Sequence, residues 1–418
     1  MNMKTGLNQT TTCWHAKRAS LPLCLLGLIA GIALPEKSGA VGYLMPNQDP
    51  EAIARGDAFV ATADNPSAIY YNPAGITQLP GGNIRIGVYA ISVGESYKSP
   101  SGATARADSN VQELPQLYAT YSVTNTPFTL GLGVYVPYGL SVNWGNNAPF
   151  NTLGENGKLT YICVNPVVAW RVVKTLSVAF GPTINYSEAT LNQAFVYSPF
   201  APPGQFNVKG DGTALGFDAG ILWQPHPMLS FGINYRSPTS VTYSGHSEAS
   251  PIFPATSTTA TIHFPQYVVG GISFRPTPNW NFEADVNWAD WDTVKQIPFN
   301  GTSFGNLALN LNYQSSFIYE FGVTRQLGKG YFASVGYIYS ENSSPSQYFT
   351  PIIPDANLQL GGIGFGHHGK NWDWAIGYQF AYNGGRTLDN PPGSANYAAN
   401  GTYRIFNNAV NIATTFKF

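Results

Sequence analysis

The sequence predicts an all-β protein: a transmembrane antiparallel β-barrel of about fourteen strands with an N-terminal, short-helical segment plugging its lumen. Three observations lead there. Strands with one apolar and one polar face recur along the chain; short turns alternate with long polar loops; and only 10% of residues are charged while 14% are aromatic, with 44 Gly and 25 Tyr.

The N-terminus fixes the compartment. Lys4, Lys17 and Arg18 precede an uncharged run from Leu21 to Leu34 and a small-residue stretch, Ser38-Gly39-Ala40. That order reads as a secretory signal over residues 1–40. The run is shorter than the roughly 18 apolar residues a spanning helix needs. These forty residues hold four of the 21 bases and one of the 22 acids, so the remainder has a net charge of -4. Such a balance gives nucleic-acid binding no support. Cys13 and Cys24 fall in the signal, leaving Cys163 without a disulfide partner. Stability must then come from a closed backbone network. Nothing after Leu34 is long and apolar enough for a transmembrane helix, so a membrane protein of this composition has to be a barrel.

Alternation is cleanest at Trp280, Phe282, Ala284, Val286 and Trp288, which share one face while Asn281, Glu283, Asp285 and Asn287 share the other. The first set suits lipid and the second a wet lumen. The same period runs through Leu176–Ile184, Leu229–Tyr235, Trp372–Phe380 and the aromatic C-terminus Val410, Ile412, Thr414, Phe416, Phe418. A soluble sandwich would bury such a face against a second sheet; a membrane barrel shows it to lipid. Tight turns are expected near Thr124–Pro127, Val173–Thr175, Gln224–Met228, Arg275–Asn279, Gln326–Gly330 and His367–Asn371. Long polar loops are expected at Glu95–Val111, Ser141–Gly157, Leu191–Lys209, Gly245–Ser257, Val294–Leu309, Ser344–Pro354 and Arg386–Thr402. Short turns on one side and long loops on the other are the pattern of an outer-membrane barrel with both ends periplasmic.

A barrel much wider than about eight strands encloses a cavity unless something fills it. Residues 41–81 precede the first strand and supply a candidate. Asp49-Pro50, Asn65-Pro66 and Asn72-Pro73 each place a capping side chain before a proline suited to the first helical position. This stretch reads as short helices and turns folded inside a barrel of residues 82–418, with a periplasmic tail as the other reading.

At this point the motifs have a relative. Arg55-Gly56-Asp57-Ala58, Ala63-Asp64-Asn65-Pro66-Ser67-Ala68 and Tyr71-Asn72-Pro73-Ala74-Gly75 resemble the N-terminal hatch of the FadL/TodX family of outer-membrane transporters for hydrophobic compounds. Val136-Pro137-Tyr138-Gly139-Leu140, Val164-Asn165-Pro166, Gly232–Pro238, Phe264-Pro265 and Asp285–Trp288 with Trp291 follow in the same order. The resemblance covers essentially residues 41–418. It implies a hatch-plugged barrel in a Gram-negative outer membrane, in contact with membrane lipid and lipopolysaccharide. It implies passive uptake of long-chain fatty acids or hydrocarbons, lateral release through a kinked third strand, and a monomer.

Several residues are placed on that scheme. Arg55, Gly56, Asn72, Pro73 and Ala74 match the hatch; as residues alone, Asn72-Pro73-Ala74 is also a plain helix cap. Tyr43, Leu44 and Met45 sit where the family's N-terminus enters the substrate pocket. The third strand, Phe128 to Leu140, has Gly131 and Gly133 on its inner face and Pro137 beyond them, the marks of a bulge and a lost ladder bond. Alternatively these glycines make room for the plug. Arg85, Arg171 and Arg236 point inward and are possible partners for a fatty acid carboxylate. Glu283, Asp285 and Glu320 also point inward, so ion pairs holding hatch to wall are the competing reading.

No enzyme is expected. The chain after the signal holds His226, His246, His263, His367 and His368 but no G-x-S-x-G elbow. Gly364–Gly369 spells G-x-G-x-x-G yet runs from a strand into a turn and opens no helix, so the dinucleotide reading fails. Adjacent histidines in a turn are weak grounds for a metal site, and no cofactor or metal is expected. A general porin for hydrophilic solutes and an adhesin-type structural barrel are the rival functions. The cargo, whether fatty acid, monoaromatic or alkane, stays open.

Overall fold

Fourteen strands close into one antiparallel barrel in the computed structural model, which describes residues 43–418. The expected signal peptide and the first two residues of the expected hatch lie outside the described residues. In chain order the wall strands are β1 (Gly82–Lys98), β2 (Val111–Ser122), β3 (Phe128–Asn143), β4 (Asn156–Val173), β5 (Leu176–Phe195), β6 (Gly204–His226) and β7 (Leu229–Arg236). They continue as β8 (Tyr267–Thr277), β9 (Trp280–Ala289), β10 (Ser316–Gly328), β11 (Tyr331–Ser340), β12 (Leu358–His368), β13 (Trp372–Tyr382) and β14 (Gly401–Lys417). Each strand pairs with its chain neighbours, and β14 returns to β1 in continuous register from Asn83↔Lys417 to Lys98↔Thr402. Closure is what lets backbone polar groups cross a membrane without water.

Burial is the inverse of a soluble protein's. In β9, Glu283, Asp285 and Asn287 are buried while Phe282 and Val286 are exposed; in β14, Asn411 and Thr415 are buried while Ile412 and Phe416 are exposed. Apolar side chains face out because the surrounding solvent is hydrocarbon, and polar ones face a lumen that satisfies them.

Three stretches expected as loops are largely paired. β5 and β6 run on to Phe195 and from Gly204, leaving only residues 196–203 as their connection. Between β7 and β8 a hairpin of Thr239–Ser250 and Phe253–Phe264 pairs with the upper part of β6. Between β9 and β10 a second hairpin, Gln296–Thr302 with Gly305–Asn310, joins it through Ala260↔Phe299. The missed signal was a period of two: Ser247 and Ala249 turn inward within the expected loop, and Thr258, Ala260, Ile262 and Phe264 continue the alternation beyond it. Hydroxyl pairs such as Ser247–Thr258 at 2.7 Å satisfy the polar members, so polarity did not mean loop.

Ahead of the wall, residues 43–81 form α1 (Pro50–Ala54), α2 (Ala68–Tyr71) and a 3-10 turn (Pro73–Gln78). Asp49 caps α1 by accepting from the Glu51 amide at 2.9 Å, and Asn72 caps the 3-10 turn by accepting from Ala74 N at 3.2 Å. Asn65 behaves differently. Its Oδ1 accepts from Ser67 N at 2.9 Å, a local turn two residues ahead of a helix that starts only at Ala68. The backbone of this segment lies so close to the wall that side chains are excluded there. A Cβ on Gly336 of β11 would fall 2.0 Å from the carbonyl carbon of Arg55, and one on Gly232 of β7 would fall 2.0 Å from Val60 O.

Candidate functional site

The segment is held by carboxylates that the pleat of β9 points inward. Glu283 Oε1 accepts from the amides of Ala61 and Thr62 at 2.7 and 3.0 Å, and Glu283 Oε2 accepts from Arg55 Nη2 at 2.7 Å and from the Thr62 hydroxyl. Two residues on, Asp285 Oδ2 accepts from Phe59 N and Val60 N at 2.8 and 2.9 Å. Asn72 closes the far side, donating from Nδ2 to Val60 O at 2.8 Å and to Ile221 O of β6 at 2.9 Å. Gly56 and Asp57 follow α1 with positive φ, which turns the chain back beneath it. Pro73 and Ala74 open the 3-10 turn and are buried.

Closure is incomplete at one place. β2 and β3 pair only from Leu117↔Val134 down to Ser122↔Thr129. Above that, Val111–Gln116 pair with β1 but not with β3, and Tyr135–Asn143 pair with β4 but not with β2; the register of β3 and β4 shifts between Tyr135 and Tyr138 across Pro137. Higher still, Asp108 N donates to Asn143 O at 2.8 Å and bridges the gap again. The result is a bounded window in the wall. Its β3 edge is taken by the start of the described chain: Met45 N donates to Pro137 O at 2.8 Å, and Gly139 N to Tyr43 O at 2.9 Å. Gln48 Nε2 donates to Val136 O at 2.8 Å, so the kinked backbone is satisfied by this N-terminal stretch rather than by β2.

Beside the window lies a cavity of about 390 Å³. Leu44, Met45, Ile91, Leu159, Ile338 and Leu360 give it an apolar lining, and Leu114, Pro115 and Val136 line it at the window. That size and lining suit a small hydrophobic ligand. A smaller space of about 80 Å³ lies on the other side of Leu140 and Leu159, lined by Tyr43, Leu191, Ile262 and Phe299. Tyr43 stands in an aromatic cluster, with ring centroids 4.9 Å from Trp291 and 5.5 Å from Phe264, and donates its hydroxyl to His263 O at 3.1 Å. Leu44 and Met45 therefore line the main cavity and Tyr43 the smaller one.

The remaining sequence candidates are placed as follows. Gly131 and Gly133 face Ile69: a Cβ at either would lie 3.0 or 2.9 Å from that side chain, which matches the reading that they make room for the segment. Pro137 sits in the register shift. The three arginines are taken up by protein partners, and none lines the cavity. Arg85 pairs with Glu51 at 3.0 Å and with Asp49; Arg236 pairs with Asp218 at 3.4 Å and lies over the Tyr70 ring; Arg171 donates to Thr77 O. Of the three, only Arg85 forms the expected ion pair between the N-terminal segment and the wall; the Arg236–Asp218 pair lies within the wall, and Arg171, exposed, reaches the segment through a carbonyl. The two buried guanidinium groups are held by acidic partners, as burial of a cation requires. His368, expected in a solvated turn, ends β12 with Nε2 3.4 Å from Glu51 Oε2.

Sequence reasoning missed Gln48, Asn47 and Gln379, which link the segment to the cavity. Asn47 Nδ2 donates to Asp57 Oδ2 at 2.8 Å and to Gln379 Oε1 at 3.0 Å. It also missed Glu95, expected as the start of a loop: β1 runs on to Lys98, and alternation from Ile91 through Val93 turns that acid to the inner face. Within the segment, burial pushes the Asp57 carboxyl up to about 7, against the hydrogen bond from Tyr71 and with Asp49 adding to the rise. Burial also acts on Glu51, but His368 and Arg85 beside it outweigh that and hold its carboxyl at about 2.

A closed barrel with lipid-facing apolar residues, an occupied lumen and a side cavity defines a class, the transport barrels of the outer membrane. The chain belongs to the outer membrane protein transport protein family (OMPP1/FadL/TodX), whose model matches residues 38–416. It is 28% identical over 257 residues to the putative outer membrane protein NMB0088 of Neisseria meningitidis, spanning 53% of this chain and 54% of that protein, about half the relative's length. It is 22% identical over 344 residues to the long-chain fatty acid transport protein of Shigella flexneri, covering 71% and 77% of the two chains. Among solved structures, a Pseudomonas aeruginosa FadL homologue superposes with a TM-score of 0.80 at 16% identity, over 90% of this chain and 100% of the other. The Ralstonia pickettii toluene transporter TbuX does so at 0.70 and 17%, over 90% and 100%. At these identities the two structures speak for the fold alone.

Proposed function

We propose that the chain carries out passive uptake of hydrophobic small molecules: the cavity receives the cargo, residues 43–81 act as the hatch that closes the lumen, and cargo leaves sideways into the membrane. The observation that carries this reading is the window between β2 and β3, whose edge residues also line the cavity. An alkyl chain gains about 0.8 kcal/mol per CH₂ by staying out of water, and a route from an apolar cavity to the membrane core keeps it out of water throughout. The hatch reading rests on the carboxylate cradle of β9, which ties the segment to the wall at five donors besides the Thr62 hydroxyl. Closure through β1 and β14 leaves no long free edge for a second copy, which favours a monomer. The relatives named above span a fatty acid transporter and a toluene transporter, and both cargo types fit an apolar space of this size.

The test is saturable binding of a fluorescent long-chain fatty acid to the refolded barrel, with oleate and toluene as competitors and ion conductance measured in parallel. Saturable binding with little conductance is expected. No binding together with a large conductance would make the protein a porin for hydrophilic solutes. Light scattering in detergent giving one chain per micelle is expected for the monomer, and two would overturn it.

A further inference from the structure

Polar atoms without partners are gathered around the main cavity. Gln379 Nε2 of β13, Asn407 Oδ1 of β14, Glu95 Oε2 of β1 and Ser340 Oγ of β11 are all buried without a hydrogen-bond partner, and all four residues line the cavity. The first three lie on adjacent strands. Asn407 is opposite Ala381 on one side and Val93 on the other, so Gln379 and Glu95, each two residues away, are its diagonal neighbours. Each diagonal pair is about 7–8 Å apart, so Asn407 with Gln379, or Asn407 with Glu95, is within reach of one head group and its first carbons, while Gln379 and Glu95 stand level with Ala409 and Ile405 on opposite sides of Asn407. Buried polar atoms are nearly always paired, and a cluster of exceptions around one cavity marks where a ligand's own polar group belongs.

The chemistry of that group follows from the residues. Gln379 is fixed in orientation: Asp57 accepts from Asn47 Nδ2, the same amide donates to Gln379 Oε1, and so Gln379 turns its Nε2 donor to the cavity. Glu95 is 7% exposed. The one base among the lining residues, Lys158, stands exposed on the outer side of β4. Arg85, Arg171 and Arg236 are engaged elsewhere. A carboxylate head would therefore enter beside a carboxyl with no buried cation to receive it, whereas a hydroxyl can donate to Glu95 or accept from Gln379.

We propose that the cavity is built for an amphiphilic cargo with an uncharged hydroxyl head, an alcohol or phenol, which Glu95 distinguishes from the carboxylate of equal chain length. This rests on the transport reading and narrows it. Isothermal titration of the purified full barrel in detergent, corrected for micelle partitioning, compares octan-1-ol, octanoate and octane. Octanol is expected to bind about tenfold or more tighter than both others, because a site with unpaired polar atoms rejects the analogue that leaves them unpaired. Glu95→Leu should remove that advantage without weakening octane, and Glu95→Gln should retain octanol within a few-fold while admitting octanoate. Retained heat-modifiable gel mobility shows that each variant is folded. Octanoate equal to or tighter than octanol, or octane equal to octanol, overturns the head-group assignment and leaves uptake of hydrophobic molecules standing. Binding of none of the three removes both.

Discussion

Arg55 Nη2 lies 2.7 Å from Glu283 Oε2, with both side chains buried, and the same carboxylate accepts two backbone amides of the segment Arg55 belongs to. One wall residue thus satisfies a buried cation and two otherwise orphaned donors. Replacing Glu283 with Ala should cost the docking of residues 43–81 about 3–5 kcal/mol, since a buried guanidinium is left uncompensated. Limited proteolysis of the folded barrel reads this directly: new cleavage within residues 43–81 is expected, and an unchanged pattern counts against the cradle.

Close approach gives a second test. Gly336→Ala places a Cβ 2.0 Å from the Arg55 backbone, whereas Gly270→Ala meets nothing within 4 Å. Overpacking of this kind costs about 1–3 kcal/mol. Planar-bilayer conductance should rise for the first variant and stay at the wild-type level for the second.

Asn72→Ala removes a cap and the two bonds to Val60 O and Ile221 O. A loss of about 2 kcal/mol is expected from the cap and the carbonyls left unpaired. Hydrogen exchange at Ala74 and in the 3-10 turn should quicken, while exchange in β9 stays slow.

The segment should also respond to pH. Asp57 sits at about 7 when folded against 3.8 unfolded, so the folded state holds a proton that the unfolded chain has lost. Its contribution is complete below about pH 4 and is lost as pH rises through 7, up to roughly 4 kcal/mol. Glu51 works in the other sense: held at about 2 against 4.5, it stabilises above pH 4.5 and that is lost as pH falls toward 2. Protection of residues 43–81 is expected to peak near pH 4 to 5, and Asp57→Asn should abolish the decline on the alkaline side. A wild-type profile flat from pH 5 to 8 would falsify this.

At the window, Leu114 lines the cavity on the β2 side, where no β3 partner covers it. Leu114→Arg sets a charge across the proposed sideways route. Uptake should fall about tenfold while cargo binding to the purified barrel persists, since a guanidinium in hydrocarbon is costly but can reach the interface. Equal uptake by the variant would argue for release through the lumen.

Alternation carried most of the wall. Residues such as Phe282 and Glu283 differ in solvent preference by several kcal/mol, and a period of two assigns them to opposite faces whatever the strands' partners are. Glu95 was expected to open a loop; β1 instead runs on to Lys98, the same rule turns its carboxyl inward, and nothing local said that it would stand beside a cavity. The hairpin around Thr258 was obscured because its hydroxyls, which read as a loop, are satisfied across the hairpin, as in the Ser247–Thr258 pair. Arg85, Arg171 and Arg236 were legible as inward cations; the partners of Arg85 and Arg171 were not, because they depend on how residues 43–81 fold back against the wall, and the pairing of Arg236 with Asp218 is set by the register of β6 and β7.

What the sequence by itself determined was the barrel, its inner turns, its inward acids and the caps at Asp49 and Asn72, since each follows from periodicity or from bonds spanning two or three residues. Tertiary structure alone decided the window and the cavity. A missing strand pairing and an empty volume are relations among residues as distant as Met45, Pro137 and Gln379, and no local preference encodes a bond that β2 does not make.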